Sequence, residues 1–230
     1  MDVLAMLRRE IVACTRCRDL RAYCADIARR GKPEFAGQTY WGKPVPPLGE
    51  ASAAVLIVGL APAAHGGNRT GRMFTGDGSA DWLARALFAS GFATQPTSRA
   101  RGDGFALKDA YLSAAIRCAP PKNKPSPRHI ANCASYLRAE FDALRKVSVV
   151  VALGKIAFDR SLRLLADAGY EIPRPRPAFA HSATTSLSRR GGKPSLTLIG
   201  SFHPSRQNTN TGKLTQQMLD AVFAKVRTLI

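Results

Sequence analysis

The sequence predicts an α/β fold, a single three-layer α/β/α domain built on a central four-stranded parallel sheet. Three observations lead there. Four apolar runs, "AAVLIVGL", "DAYLSAAIRC", "VSVVVALG" and "SLTLIGS", have the composition of strands buried on both faces. Segments with helical spacing of apolar residues separate them, and a repeated strand–helix alternation selects a parallel sheet with crossover helices. The 230 residues, 45% hydrophobic and 22% charged, suffice for one core and force no second domain.

The elements follow in order. Val3 to Ala13 reads as a short helix with apolar residues at 3, 4, 7 and 11 on one face. Residues 1–50 are expected to wrap the core, with an irregular Gly- and Pro-rich stretch from Gly31 to Glu50 anchored by Tyr40 and Trp41. Ala53 to Leu60 is the first strand. A helix follows, with Ser79 as N-cap and Gly91 just past its end. Gln95 to Gly104 is a polar loop, and "DAYLSAAIRC" contains the second strand. The four prolines of "APPKNKPSPR" forbid regular structure after it. A helix is predicted over His129 to Lys146, then the third strand, "VSVVVALG", then a helix over Lys155 to Ala168 closed by Gly169. Tyr170 to Pro194 reads as loop, "SLTLIGS" as the fourth strand, and Thr211 to Thr228 as the last helix.

Charge narrows the function. Lysine and arginine number 34 against 16 acids, a formal net charge of +18. Such an excess creates a strong positive field, and the commonest cytosolic polyanion is nucleic acid. A GC-rich genome that favours arginine codons would give the same excess. No apolar run approaches the roughly 20 residues of a membrane span. The first residues lack an uninterrupted apolar stretch and carry Asp2 and Glu10, so neither a secretory signal nor a transit peptide is expected, and the expected location is the cytoplasm.

Five cysteines in such a chain do not suggest a disulfide framework. Cys14 and Cys17 form a C-x2-C pair, fourteen residues separate Cys118 from Cys133, and Cys24 is left over. Brought to one corner of the sheet, four thiolates suit zinc or an iron–sulfur cluster, and the unequal spacing leans toward [4Fe–4S]. Ordinary buried cysteines are the alternative.

In a parallel sheet the site lies beyond the carboxyl ends of the strands. Chemistry is therefore expected to converge from the segments after the first, second and fourth strands. The first, "GLAPAAHGGNRTGRMFTGDGS", looks like a phosphate cradle, yet it has neither the GK[ST] of a P-loop nor GxGxxG. Asp77 is its only carboxylate. "GLAPA" offers shape and backbone amides but no acid–base group.

Two motifs carry a resemblance. "GLAPAAHGGNRTGRMFTGD" and "HPSRQNTNTGKLT" together resemble the signature motifs of the uracil-DNA glycosylase superfamily, in detail those of family 5, the UDGb type. The resemblance extends through "YWGKPVP", "RCAPPKNKP" and "RPRPAFAHSA", and so covers most of the chain. It implies the four-stranded parallel sheet, a [4Fe–4S] cluster on Cys14, Cys17, Cys118 and Cys133, and base-flipping excision of uracil from DNA. Hypoxanthine, xanthine and some modified pyrimidines are further bases that UDGb-type enzymes accept. Double-stranded DNA, with single-stranded DNA as a second form, is the implied partner, and a monomer is the family's habit.

Residue roles follow from the motifs. His203, directly after the fourth strand, is the candidate donor to the leaving base. Asp77 is the candidate for activating water or stabilising charge on the sugar, with a helix N-cap as its alternative. Phe74 matches the family's stacking aromatic and Asn123 the residue that reads the base edge. Ala61, His65 and Asn208 are further candidates for the base site. Arg206 and Gln207 fall where superfamily members press a wedge into the duplex. Arg69, Arg72, Lys122, Lys124 and Lys213 are phosphate candidates. Two rival readings remain: an iron–sulfur DNA-binding protein with a degenerate site, which Ala61 keeps open, and a superfamily relative specific for another lesion.

Overall fold

The computed structural model describes residues 2–189 and 191–230. Its sheet has six strands in the order β1-β3-β2-β4-β6-β5: β1 Leu48–Gly49, β2 Val55–Gly59, β3 Ala110–Ala114, β4 Val149–Leu153, β5 Thr184–Arg189 and β6 Gly192–Ser201. The four predicted strands form its parallel centre, with Val55 opposite Ala110 on one side and Val149 on the other, and Val149 opposite Thr197. Two antiparallel edge strands correct the expected count of four. Strand β1 is two residues long. Strand β5, "TTSLSR", fell in a stretch read as loop because it buries only Leu187 and so lacks an apolar signature.

Alternation along the strands divides the core in two. Val55, Ile57, Leu112, Val151, Leu153 and Ile199 face helices α4 (Gly78–Ala89) and α8 (Gln216–Arg227), which supply Leu83, Leu87, Leu219, Val222 and Phe223. Leu56, Val58, Tyr111, Val150, Ala152 and Leu198 face the other way. They meet Leu4 and Leu7 of α1 (Val3–Ala13), Leu137 of α5 (Pro127–Ala143), and Phe158, Leu162 and Leu165 of α6 (Lys155–Asp167). Three layers result, as predicted.

Several boundaries differ from the sequence reading. Helix α2 (Arg18–Arg30) is an element beyond those the sequence predicts, with Leu20, Cys24 and Ile27 on its buried face at helical spacing. Helix α4 is capped by Asp77, not Ser79. Gly91, at φ 73°, takes the left-handed conformation that ends that helix. Helix α5 starts two residues early because Ser126 and His129 form a reciprocal capping box. The last predicted helix, Thr211 to Thr228, is α8, which starts later because Thr215 caps it, and a short helix, α7 (Arg206–Asn210), precedes it. The remaining short helix, α3 (Gly67–Thr70), lies inside the loop after β2.

Candidate active site

The carboxyl ends of β2, β4 and β6 bring the site together. Glycine 59 closes β2, and a Cβ there would lie 2.6 Å from Cε2 of Phe74, so only glycine lets that ring rest on the strand end. Phe74 holds a left-handed backbone at φ 45°, uncommon for a bulky residue and fixed by the surrounding loop. Its ring centroid is 5.8 Å from that of His203, with 36° between the planes.

His203 lies two residues beyond the end of β6, and burial pushes its imidazole down to about 4. It is therefore neutral at pH 7, with one ring N–H to donate. Asn208 fixes the motif by donating from Nδ2 to the His203 carbonyl at 2.8 Å. Ser205 caps α7 and accepts from the Asn208 N–H. Leu60, Gly154, Lys155, Phe179, Phe202, His203, Asn208 and Lys213 are among the residues around a cleft of about 300 Å³. Lys213 Nζ stands 4.9 Å above the Phe202 ring, and Phe202 stacks on His181 at 5.0 Å.

Asp77 plays two parts in the geometry. Its Oδ1 accepts from the Ala80 N–H at 3.0 Å and caps α4. Its Oδ2 lies over Gly66, where a Cβ would come within 1.9 Å of it. Burial raises the carboxyl above its ordinary range against the N–H groups of Ala80 and Ser79. The Ala80 cap bond uses Oδ1.

Arg69 and Arg72 are corrected. Both are buried and serve as internal struts, not phosphate ligands. Arg69 donates to the His65 carbonyl, Gln38 Oε1 and the Gly76 carbonyl, each at 2.7 Å. Arg72 reaches Thr75 Oγ1 at 2.8 Å, Ser98 Oγ at 3.0 Å and both Asp103 oxygens at 2.8 and 2.9 Å. Burial works to raise Asp103, but the backbone N–H groups of Phe105, Ala100 and Arg99 and the Arg72 guanidinium outweigh it and hold the carboxyl at about 2. These bonds fix the loop that presents Phe74 and Asp77.

The other candidates divide. His65 Nδ1 meets Tyr40 Oη at 3.0 Å, and burial, helped by Lys32 and Arg69, lowers its imidazole below the usual range. Ala61, next to the cleft residue Leu60, packs against the cysteine corner. Asn123 and Lys124 are exposed on and beside the turn Pro121–Asn123, apart from the cleft lining. The segment after the third parallel strand, "GKIAF", also contributes Gly154, Lys155 and Ile156 to the cleft. Arg206 and Gln207 are exposed at the start of α7, and Arg206 reaches toward Gly78 beside Asp77. Phe179 and Phe202 line the cleft and are not among the candidates that the sequence offers. "RPRPAFAHSA" and "SFHPS" were the signals.

The cysteines gather in one corner. Cys17, Cys24, Cys118 and Cys133 share it with Leu20, Ile116 and Ala119, while Cys14 is half-buried at the end of α1. Asn132 Nδ2 donates to Cys17 Sγ at 3.3 Å. Arg117, next to Cys118, is fully buried. Its Nη2 pairs with Glu140 at 2.7 Å, but Nε and Nη1 have no partner. Two unspent cationic donors beside a set of thiols fit an anionic thiolate-bound group there. Among the described residues, no three His, Cys, Asp or Glu side chains close on one point as ligands. The donor types and their corner fit a cluster, while the sulfurs are not drawn onto a common centre.

A family model, the uracil DNA glycosylase superfamily, matches residues 46–227. The chain belongs to this superfamily. Type-5 uracil-DNA glycosylases from Pyrobaculum aerophilum and Thermus thermophilus are each 42% identical to it, over 217 and 219 residues. These matches cover 94% of the chain and 88% of the first relative, and 95% and 94% for the second. A type-4 uracil-DNA glycosylase from Archaeoglobus fulgidus is 28% identical over 158 residues, 68% of this chain and 62% of that protein. The superfamily member described here is thus more similar to these type-5 relatives than to the type-4 one. The matched span includes Phe74, Asp77 and His203. Among the described residues no helix is long and apolar enough to cross a membrane.

Proposed function

We propose that this chain is a uracil-DNA glycosylase of the type-5 kind, a hydrolase of N-glycosidic bonds that begins repair of deaminated DNA. The observation that carries the reading is the Phe74 ring 5.8 Å from a neutral, half-buried His203, on segments that leave β2 and β6. A flipped base stacks on Phe74. The bond between C1′ and N1 of uracil breaks with its electron pair leaving on the base. The imidazole N–H donates toward the base oxygen that gains charge, and a neutral donor does so without surrendering its proton. Water adds to C1′ of the oxocarbenium-like sugar. The carboxylate of Asp77 takes the water proton or offsets the positive charge, and its raised pKa suits a base.

Ala61 and His65 shape the wall behind the base, Asn208 holds the His203 turn, and Asn123 closes over the base edge when DNA is bound. Lys124, Arg206, Gln207 and Lys213 contact the DNA, with Arg206 and Gln207 as the wedge. Residues 1–230 act as one glycosylase domain, a monomer in the cytoplasm, with hypoxanthine and xanthine as further substrates. Cys14, Cys17, Cys118 and Cys133 hold a [4Fe–4S] cluster. That group supplies a structural staple between the N-terminal helices and the sheet, and Arg117 balances its charge.

Incubation with duplexes containing one U·G, U·A, hypoxanthine or xanthine, followed by alkali, tests the reading. Strand cleavage at uracil is expected, strongest at U·G because a mismatched base costs least to unstack. A protein that binds these duplexes and cuts none would instead be a DNA-binding protein with a degenerate site.

A further inference from the structure

A second concave surface lies away from the base site. It is a groove of about 660 Å³ between α1, the start of α2 and the loop around Arg101, at the β1 edge of the sheet. Five cations line it: Arg8, Arg9, Arg21, Lys43 and Arg101, with Trp41 as a wall. No acid lines it, and among the described residues none of the five pairs with a carboxylate. Elsewhere this chain does neutralise arginines, for example Arg138 on Asp142 and Arg163 on Asp167. Five unneutralised cations in one concavity repel one another unless an anion joins them.

The local bonds hold the groove open. Arg21 donates to the Gly42 carbonyl at 3.0 Å, Arg101 to the Gly71 carbonyl at 2.8 Å, and Arg8 to the Gly49 carbonyl. Neutral carbonyls position these guanidinium groups without cancelling their charge. Trp41 is covered by Arg101 at 4.2 Å and Lys43 at 5.7 Å from its ring centroid, and its Nε1–H is spent on the Pro44 carbonyl. The indole therefore serves as a platform for cations and is not free to stack on a base.

We propose that this groove takes the phosphodiester backbone of the DNA outside the flipped nucleotide, as a sequence-independent second contact. The proposal rests on the glycosylase reading for its partner. Its volume is large for a single phosphate, and the occupied indole favours backbone over unstacked bases. Arg101 and Trp41 both contact the turn at Gly71, three residues before Phe74, so the groove is tied to the loop that carries Phe74.

The test uses the double variant Arg9→Glu/Lys43→Glu, since neither side chain makes a hydrogen bond among the described residues. A matched control, Arg145→Glu/Lys146→Glu at the exposed end of α5, changes the net charge equally. Binding to an undamaged duplex of about 30 base pairs is followed by fluorescence anisotropy over a salt series. Each lost phosphate contact removes about 0.9 from the slope of log K against log salt. The groove variant is expected to bind about tenfold or more weakly, with a slope shallower by about 2, while the control keeps the wild-type slope. Equal effects of the two double variants, or an unchanged slope in the groove variant, would overturn the proposal. Thermal midpoints within a few degrees of wild type establish that each variant is folded. Binding to undamaged DNA needs no excision, so a wild-type chain that cuts no uracil defeats the activity and leaves this readout standing.

Discussion

The ring of Phe74 and the imidazole of His203 face each other at 5.8 Å, each carried on a segment leaving a different parallel strand. Gly59 makes this possible, because any side chain there would occupy the space of the Phe74 ring. Base stacking of this kind is worth ~1–3 kcal/mol. Gly59→Ala is therefore expected to lower kcat/KM for uracil excision about tenfold or more. In a Phe74→Ala background the same change should cost little more, because the two residues act as one unit. Additive losses in that cycle would mean that Gly59 works through something other than the ring.

Asp77 separates charge from capping. Asn at this position still accepts from the Ala80 N–H, so Asp77→Asn should keep the thermal midpoint nearly unchanged while cutting excision by about tenfold or more. Asp77→Ala loses both functions and should also lose about 1 kcal/mol of stability. Full activity in the Asn variant would leave the residue as a helix cap alone. If ionised Asp77 is the base, the acid limb of the wild-type rate profile lies above the ordinary carboxylate range, in keeping with its burial.

His203 predicts a pH dependence of stability. Its imidazole is held at about 4 against an ordinary 6.5. Between those values the unfolded chain binds a proton that the native state refuses, so stability falls as pH drops from 6.5 toward 4. His203→Gln removes this contribution. Its thermal midpoint should decline less than that of wild type between pH 7 and about 4.5. Parallel curves would show the imidazole to be less buried than its surroundings indicate.

Arg72 should behave as a strut. Removing one partner of a largely buried ion pair costs ~3–5 kcal/mol, so Arg72→Gln is expected to lower the thermal midpoint by several degrees. The salt slope of DNA binding should not move. The Asp103 side of the pair is stabilising above the ordinary 3.8 and is lost as pH falls through about 2. A folded variant with a shallower salt slope would return Arg72 to the phosphate contacts.

The cysteine corner gives a spectroscopic prediction. Wild type, and Cys24→Ser, should purify with iron and a broad absorption near ~400 nm, whereas Cys118→Ser should lose both. Iron in none of the three would count against the cluster.

The sequence made the parallel centre legible because Val55–Gly59, Ala110–Ala114 and Val149–Leu153 are buried at every position. Edge strand β5 was not legible, since a strand with one buried residue carries no apolar pattern. His203, Phe74 and Asp77 stand out in the sequence because motif and strand end coincide. Arg69 and Arg72 misled because a loop arginine reads the same whether it meets phosphate or an internal carbonyl. Only the positions of Gln38, Gly76, Ser98 and Asp103 distinguish the two. The Phe179–Phe202 wall depends on long-range packing that spacing does not encode.

The most direct measurement is single-turnover excision from a duplex with one U·G pair, compared among wild type, His203→Ala and Asp77→Asn. The account predicts cleavage after alkali with wild type, a rate lower by about 10²–10³ without the His203 donor, and a loss of about tenfold or more without the Asp77 charge. Wild-type protein that leaves uracil in place, or variants that excise it at the wild-type rate, would contradict it.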